Sequence, residues 1–211
     1  MFAALTLVLF GLAFVITAFV GGDDAYLART EDGWIEKASV VLYFILAAGF
    51  VVAAVAVPWQ RGFYAAFLML VFAMREMDFD EFTSGEKTQK LTSTRYWRSE
   101  DFSIFHKLIV LLVLVATAVA LWKLCRGGWS WLRTSLAAGK PYAVSVLGVV
   151  FYILLSSVLD NRVDWDALDN PVVLFFSLAE ECVELGIPIL LGVALVQWLI
   201  YRDPAEDPPV R

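Results

Sequence analysis

Histidine occurs once in this chain, at position 106, and cysteine twice, at positions 125 and 182. That count excludes a zinc hydrolase site built on several imidazoles. Cys125 follows the end of one apolar run, whereas Cys182 lies about eleven residues inside another. At ~1.5 Å rise per residue the two thiols are more than about 10 Å apart along the bundle axis, beyond disulfide reach. Both read as small buried apolar residues. Charge is scarce as well, at 18 % of residues, and its balance is −6. With no basic face to neutralise phosphates, nucleic acid is excluded as a partner. No Lys or Arg precedes the first apolar run, 2–20. A cleaved signal peptide needs a basic segment there and a shorter apolar core, so a first transmembrane helix is the better reading.

What the chain has in abundance is apolar length. Hydrophobic residues make up 60 % of it and the mean hydropathy is +0.72. Soluble domains sit near 45–50 %, and uncharged runs of about 20 residues are the transmembrane signature. The expected fold is an all-α, polytopic bundle of six transmembrane helices over 2–20, 38–57, 62–79, 104–124, 142–160 and 171–201. Asn170 as N-cap and Pro171 at the first helical position open the sixth span. Residues 202–211, rich in Pro and charge, are expected to form a disordered tail. No internal repeat or soluble domain is visible. The third span is short: its uncharged part, 62–74, has thirteen residues. Thirteen residues span ~20 Å of a ~30 Å hydrocarbon core. The helix must then continue through Arg75, Glu76, Met77, Asp78 and Phe79, placing charge within the membrane zone.

The loop 126–140 holds Arg126, Arg133 and Lys140, with Lys123 just before it, and no acid. By the positive-inside rule it is cytoplasmic, and an even span count puts both termini there too. The outer loop 80–103, with Lys87, Lys90, Arg95 and Arg98, weakens that bias.

On this topology the unusual charges converge on one membrane face. Glu36 precedes the second span, Arg75, Glu76 and Asp78 end the third, His106 and Lys107 open the fourth, and Asp160 ends the fifth. Glu180, Glu181 and Glu184 lie inside the sixth. Acids at such depth are costly unless they face a bundle interior, a hydrated cavity or a partner. Helix dipoles favour acids at N-termini and bases at C-termini by about 0.3–1 kcal/mol. Glu36 obeys that preference, while Glu76, Asp78, Asp160, His106 and Lys107 run against it, so they need one another or a bound cation. Solvated helix ends and structural ion pairs are the plainer readings of this ring.

Glu180 and Glu184 are four residues apart, and Glu181 and Glu184 three, so each pair shares a helix face. Two carboxylates one turn apart repel unless protonated, paired or bridged by a metal. Pro188 removes the N–H that would bond the Glu184 carbonyl, so a kink is expected beside the acids. One histidine among carboxylates suits Mg²⁺, Mn²⁺ or Ca²⁺, or a single-His zinc site. The candidate metal ligands are Glu76, Asp78, His106, Asp160, Glu180 and Glu184, with Glu76, His106 and Glu184 as candidate acid–base groups. Arg75, Arg95 and Arg98 are candidates for an anionic lipid headgroup. Ser156 and Ser157 flank Asp160 by helical spacing without forming a Ser-His-Asp order. Thr94, Arg95, Tyr96, Trp97 and Arg98 read foremost as an interfacial anchor, as do Trp129 and Trp131 on a short surface helix.

Met74, Arg75, Glu76, Met77, Asp78 and Phe79, followed by Phe82, Thr83 and Ser84, resemble a segment of a family of uncharacterised bacterial multi-pass inner-membrane proteins. The stretch 178–185 resembles the acidic last helix of the same proteins. Asp80 departs from the basic residue or histidine of that pattern. The resemblance covers the second to sixth spans and implies a bacterial inner membrane, but no activity. The alkaline ceramidase-like membrane hydrolases are similar in architecture alone, since their paired-His motif is missing here. The leading expectation is recognition of a divalent cation or lipid headgroup at the acidic site, extending to metal-assisted lipid hydrolysis. A proton- or cation-coupled transporter is the second, although the sixth span offers only Gln197 beyond Leu185, and the inner halves of spans two to five are almost wholly apolar. A scaffold held by an ion-pair network is the third. Partners beyond the bilayer are not legible.

Overall fold

The computed structural model describes residues 2–19, 34–57, 61–77, 97–98, 102–160 and 171–202. Among these the regular elements are all helical, with no strand: α1 (Phe2–Phe19), α2 (Trp34–Ala56), α3 (Arg61–Glu76), α4 (Ile104–Cys125), α5 (Gly128–Ala137), α6 (Pro141–Asp160) and α7 (Pro171–Tyr201). Four stretches are long and apolar enough to cross a membrane: Trp34–Ala56, Ile104–Ala137, Pro141–Leu159 and Val172–Tyr201. The chain is therefore built as an all-helical, membrane-embedded protein with several spans. α1 and α3 are the shorter apolar helices, of 18 and 16 residues.

Local chemistry explains the helix ends. Ser103 caps α4, its Oγ accepting from the His106 N–H at 3.2 Å. Pro141 and Pro171 open α6 and α7, where a missing N–H costs nothing. Gly139, at φ +68°, ends α5 in a Schellman motif: Lys140 N–H reaches Ser135 O and Gly139 N–H reaches Leu136 O, both at 2.9 Å. α2 includes Trp34 to Lys37 ahead of the expected 38, with Glu36 in its first turn, where an acid suits the positive end of the helix dipole. α3 keeps Arg75 and Glu76 in its last turn, and Met77 N–H still bonds Ala73 O at 3.1 Å. The expected continuation to 79 falls on Asp78 and Phe79, which lie outside the described residues.

The chain forms two compact units, Met1–Leu42 with Ser130–Arg211, and Tyr43–Trp129. In the first, α6 and α7 make an antiparallel hairpin with α1 laid against α7. Its core holds Leu9, Ala13, Ile35, Val149, Tyr152, Leu178, Cys182 and Leu190. Gly186 is a point of close approach. A Cβ there would sit well inside contact distance of Tyr152 Cε2, 2.7 Å from Tyr152 Cδ2 and 2.8 Å from Leu9 Cδ1. Small residues at such crossings let helix backbones come together where lipid offers no hydrophobic drive. In the second unit, α3 packs antiparallel to α4, and Ala65, Ala66, Met69, Ala73, Val110 and Ala120 on these helices are buried. The ring of Tyr43 of α2 meets that of Phe72 at a tilt of 34°, with ring centroids 5.7 Å apart.

Three expectations shift. Cys182 is buried as expected, but Cys125 is exposed, because it lies on the last turn of α4 outside the face packed on α3. The short helix carrying Trp129 and Trp131 is α5. Trp129 is exposed, whereas Trp131 stacks on Tyr142 at 5.4 Å and 14° instead of joining a surface belt. Arg202, placed in the tail by sequence, is ordered: its N–H bonds Trp198 O at 2.9 Å and its guanidinium lies 5.4 Å from the Trp198 ring centroid. Residues 203–211 lie outside the described residues.

Candidate carboxylate site in the helical hairpin

The faces of α6 and α7 that meet are set by spacing. Tyr142, Ser145, Val149, Tyr152, Ser156 and Leu159 recur at alternating steps of three and four along α6, and all are buried. That stripe is apolar enough to pack in lipid, yet four of its six members carry a hydroxyl. Each of these four has a hydrogen-bond partner from another element.

Ser156 Oγ donates to Glu184 Oε1 at 2.8 Å across the α6–α7 seam. Ser156 is 7 % exposed and Glu184 is half-buried. The bond holds one carboxylate oxygen against the neighbouring helix, so Glu184 does not snorkel to the headgroups. Ser157, the other serine of the pair, turns back to its own helix and bonds Ile153 O at 3.0 Å. Further along the seam Tyr152 Oη and Thr6 Oγ1 lie 3.0 Å apart, linking α6 to α1. Ser145 Oγ donates to Gln197 Oε1 at 2.8 Å, and Ser135 Oγ and Tyr142 Oη are 3.3 Å apart. Sequence reasoning singles out Ser156 beside Asp160 but misses these partners, and it treats the inner half of α6, where Ser145 lies, as almost wholly apolar. The three-four stripe of hydroxyls was the available signal.

Glu180 and Glu181 are half-buried like Glu184 and border the packed face of α7, where Leu178, Ala179, Cys182 and Val183 are buried. α7 runs unbroken through Pro188, which is itself fully buried. The antiparallel register that sets Ser156 opposite Glu184 brings the last turn of α6, with Asp160 at its end, level with Glu180. The Asp160 side chain lies outside the described residues.

The other predicted site residues belong to the second unit. Antiparallel packing carries Glu76 and exposed Arg75, at the end of α3, to the same pole as His106 and Lys107 in the first turn of α4. His106 is half-buried, with its ring 5.6 Å from that of Phe102 and its backbone N–H on the Ser103 cap. Lys107 Nζ donates to Trp97 O at 3.2 Å, which ties the described pair Trp97 and Arg98 to this pole. Asp78 and Arg95 lie outside the described residues. Among the described residues no group of three or more His, Cys, Asp or Glu side chains is arranged to hold a metal ion.

Comparison of the chain with protein-family models, with curated proteins and with solved structures gave no match.

Proposed function

We propose that this is a six-span protein of a bacterial inner membrane, with both termini cytoplasmic, that recognises a cation through the carboxylates of α7. The cation is a divalent metal ion or the positive part of a lipid headgroup. The observation that carries this reading is the 2.8 Å bond from Ser156 to Glu184, which positions an acid within a membrane helix instead of leaving it to the headgroup layer. Glu180 and Glu181, one turn earlier on α7, are the other acids of the site, and Asp160 is the acid nearest in register. Arg75, Arg95 and Arg98 remain the candidates for the anionic part of a headgroup. Metal-assisted lipid hydrolysis has less support. Ser156 is too buried to serve as a nucleophile, so its hydroxyl orients the acid.

A second reading has its own observation. Thr6 with Tyr152, Ser135 with Tyr142 and Ser145 with Gln197 pin the same unit without any acid. In that reading Glu184 is one more polar rivet of a non-catalytic scaffold. Coupled transport would use the same seam but needs its separate hydrogen-bonded pairs to join into one path.

Elemental analysis and Mn²⁺ titration of the detergent-purified protein, beside Glu184→Gln and Glu184→Ala, separate the two main readings. Gln keeps an oxygen acceptor for Ser156 and removes the charge. A cation bound by the wild type and lost in folded Glu184→Gln supports the recognition site. No cation in the wild type, with Glu184→Ala less stable and Glu184→Gln unchanged, supports the scaffold.

A further inference from the structure

The unit Tyr43–Trp129 has two unlike poles. Arg75, Glu76, Arg98, His106 and Lys107 mix both signs at one. At the other, the start of α3 meets the end of α4, and the charged residues described there are Arg61, Lys123 and Arg126, all cationic in a chain of net charge −6. Arg61 Nη2 donates to the Arg126 backbone carbonyl at 3.2 Å, which fixes its guanidinium at the negative end of the α4 dipole. That contact engages one of the five N–H groups of the fork. The side chains of Lys123 and Arg126 are exposed. Gly127, at φ +82°, turns the chain directly after them.

The surroundings of this cluster are interfacial. Trp122 and Trp129 stand 65 % and 68 % exposed on either side of Arg126 in sequence. Indoles so placed at the end of a span belong at headgroup level. Only 11 % of the apolar stretch within Ile104–Ala137 is buried inside the protein, so lipid is the main neighbour of α4. One cation would suffice to meet a helix dipole. Three cations, one of them tethered by a backbone carbonyl, supply more donors than a dipole needs and suit an anion that carries several acceptor oxygens.

We propose that Arg61, Lys123 and Arg126, flanked by Trp122 and Trp129, bind the phosphate of an anionic phospholipid in the leaflet where α3 begins and α4 ends. Free phosphate shares that chemistry, but the exposed indoles and the lipid-facing α4 select the lipid.

The test is native mass spectrometry of the full chain from mixed micelles holding phosphatidylglycerol and phosphatidylcholine in equal amounts. The wild type retains phosphatidylglycerol in preference. Lys123→Gln/Arg126→Gln lowers that preference about fivefold per cation removed, the contribution of one basic residue near an anionic surface. This double variant keeps the Arg61 bond, which goes to a backbone carbonyl, so a folding defect is not built in. Lys37→Gln, an exposed cation outside the cluster, leaves the preference unchanged. Equal retention by the double variant and the wild type, or an equal loss in Lys37→Gln, overturns the site. Displacement of phosphatidylglycerol by inorganic phosphate overturns its assignment to a lipid.

Discussion

α7 and α4 are both long enough and apolar enough to cross a membrane, yet they solve opposite problems. Of the best apolar stretch of α7, 44 % is buried within the protein, whereas α4 belongs to a stretch with 11 % buried. α7 carries three carboxylates, Ser177 and Gln197; α4 between Leu108 and Trp122 has Thr117 as its polar residue, and that hydroxyl bonds its own helix at Val113 O, 2.8 Å away. The difference shows where a membrane helix keeps polar side chains. They persist where a second helix can receive them, because lipid cannot. A helix that faces lipid keeps its polarity at the ends, as α4 does with Ser103, His106 and Lys107 at one and Lys123 and Arg126 at the other.

The strongest way to break this contrast is to spoil the close contact at Gly186 in the α1/α6/α7 unit. Gly186→Val places carbon atoms inside the Tyr152 ring and against Leu9. Overpacking of this kind typically costs ~1–3 kcal/mol, and more where backbone must move. The expected result is loss of monodisperse protein in detergent chromatography. Gly11→Ala, which meets nothing within 4 Å, should melt at or above the wild-type temperature. Next in size is Glu184→Ala. It strands the buried Ser156 hydroxyl and should lower stability by about 1–3 kcal/mol, with Glu184→Gln recovering most of the loss in the same thermal melt.

A smaller loss is expected where the seam is pinned without acids. Ser145→Ala removes the bond to Gln197, and interhelical hydrogen bonds in membranes average ~0.6 kcal/mol with a ceiling near ~1.7. The smallest effect sharpens the comparison from the other side. Leu112→Ala, at a position 69 % exposed on α4, should change stability by less than about 0.5 kcal/mol. A cost as large as that of Ser145→Ala would reveal that another chain covers that face of α4.

The apolar runs made the helices legible in advance, and Pro171 and the loop tryptophans marked where α7 and α5 lie. The acids of α7 were equally plain, since Glu180, Glu181 and Glu184 interrupt an otherwise uncharged run. Their neighbours were not. Pairing Ser156 with Glu184 requires the α6–α7 register, which depends on how deep each helix sits and not on composition. Ser145 and Tyr152 look like ordinary small or aromatic residues until the opposing helix supplies Gln197 and α1 supplies Thr6. The expected ring of charges rests partly on Asp78 and the Asp160 side chain, which fall outside the described residues. The short helix Arg61–Glu76 could be anticipated from its thirteen uncharged residues, but the bond from Arg61 to the end of α4 could not, because it joins positions 65 apart.

The seat of the Tyr152 ring over Gly186 has a consequence for motion. One residue separates that notch from Glu184 and one from Pro188, so the acid, the proline and the notch share barely more than one turn of α7. Sliding α7 past α6 by a turn, ~5.4 Å, would drive a side chain of Cβ size or larger into the space the ring occupies. The notch therefore opposes sliding along that seam and favours the register that holds Ser156 opposite Glu184.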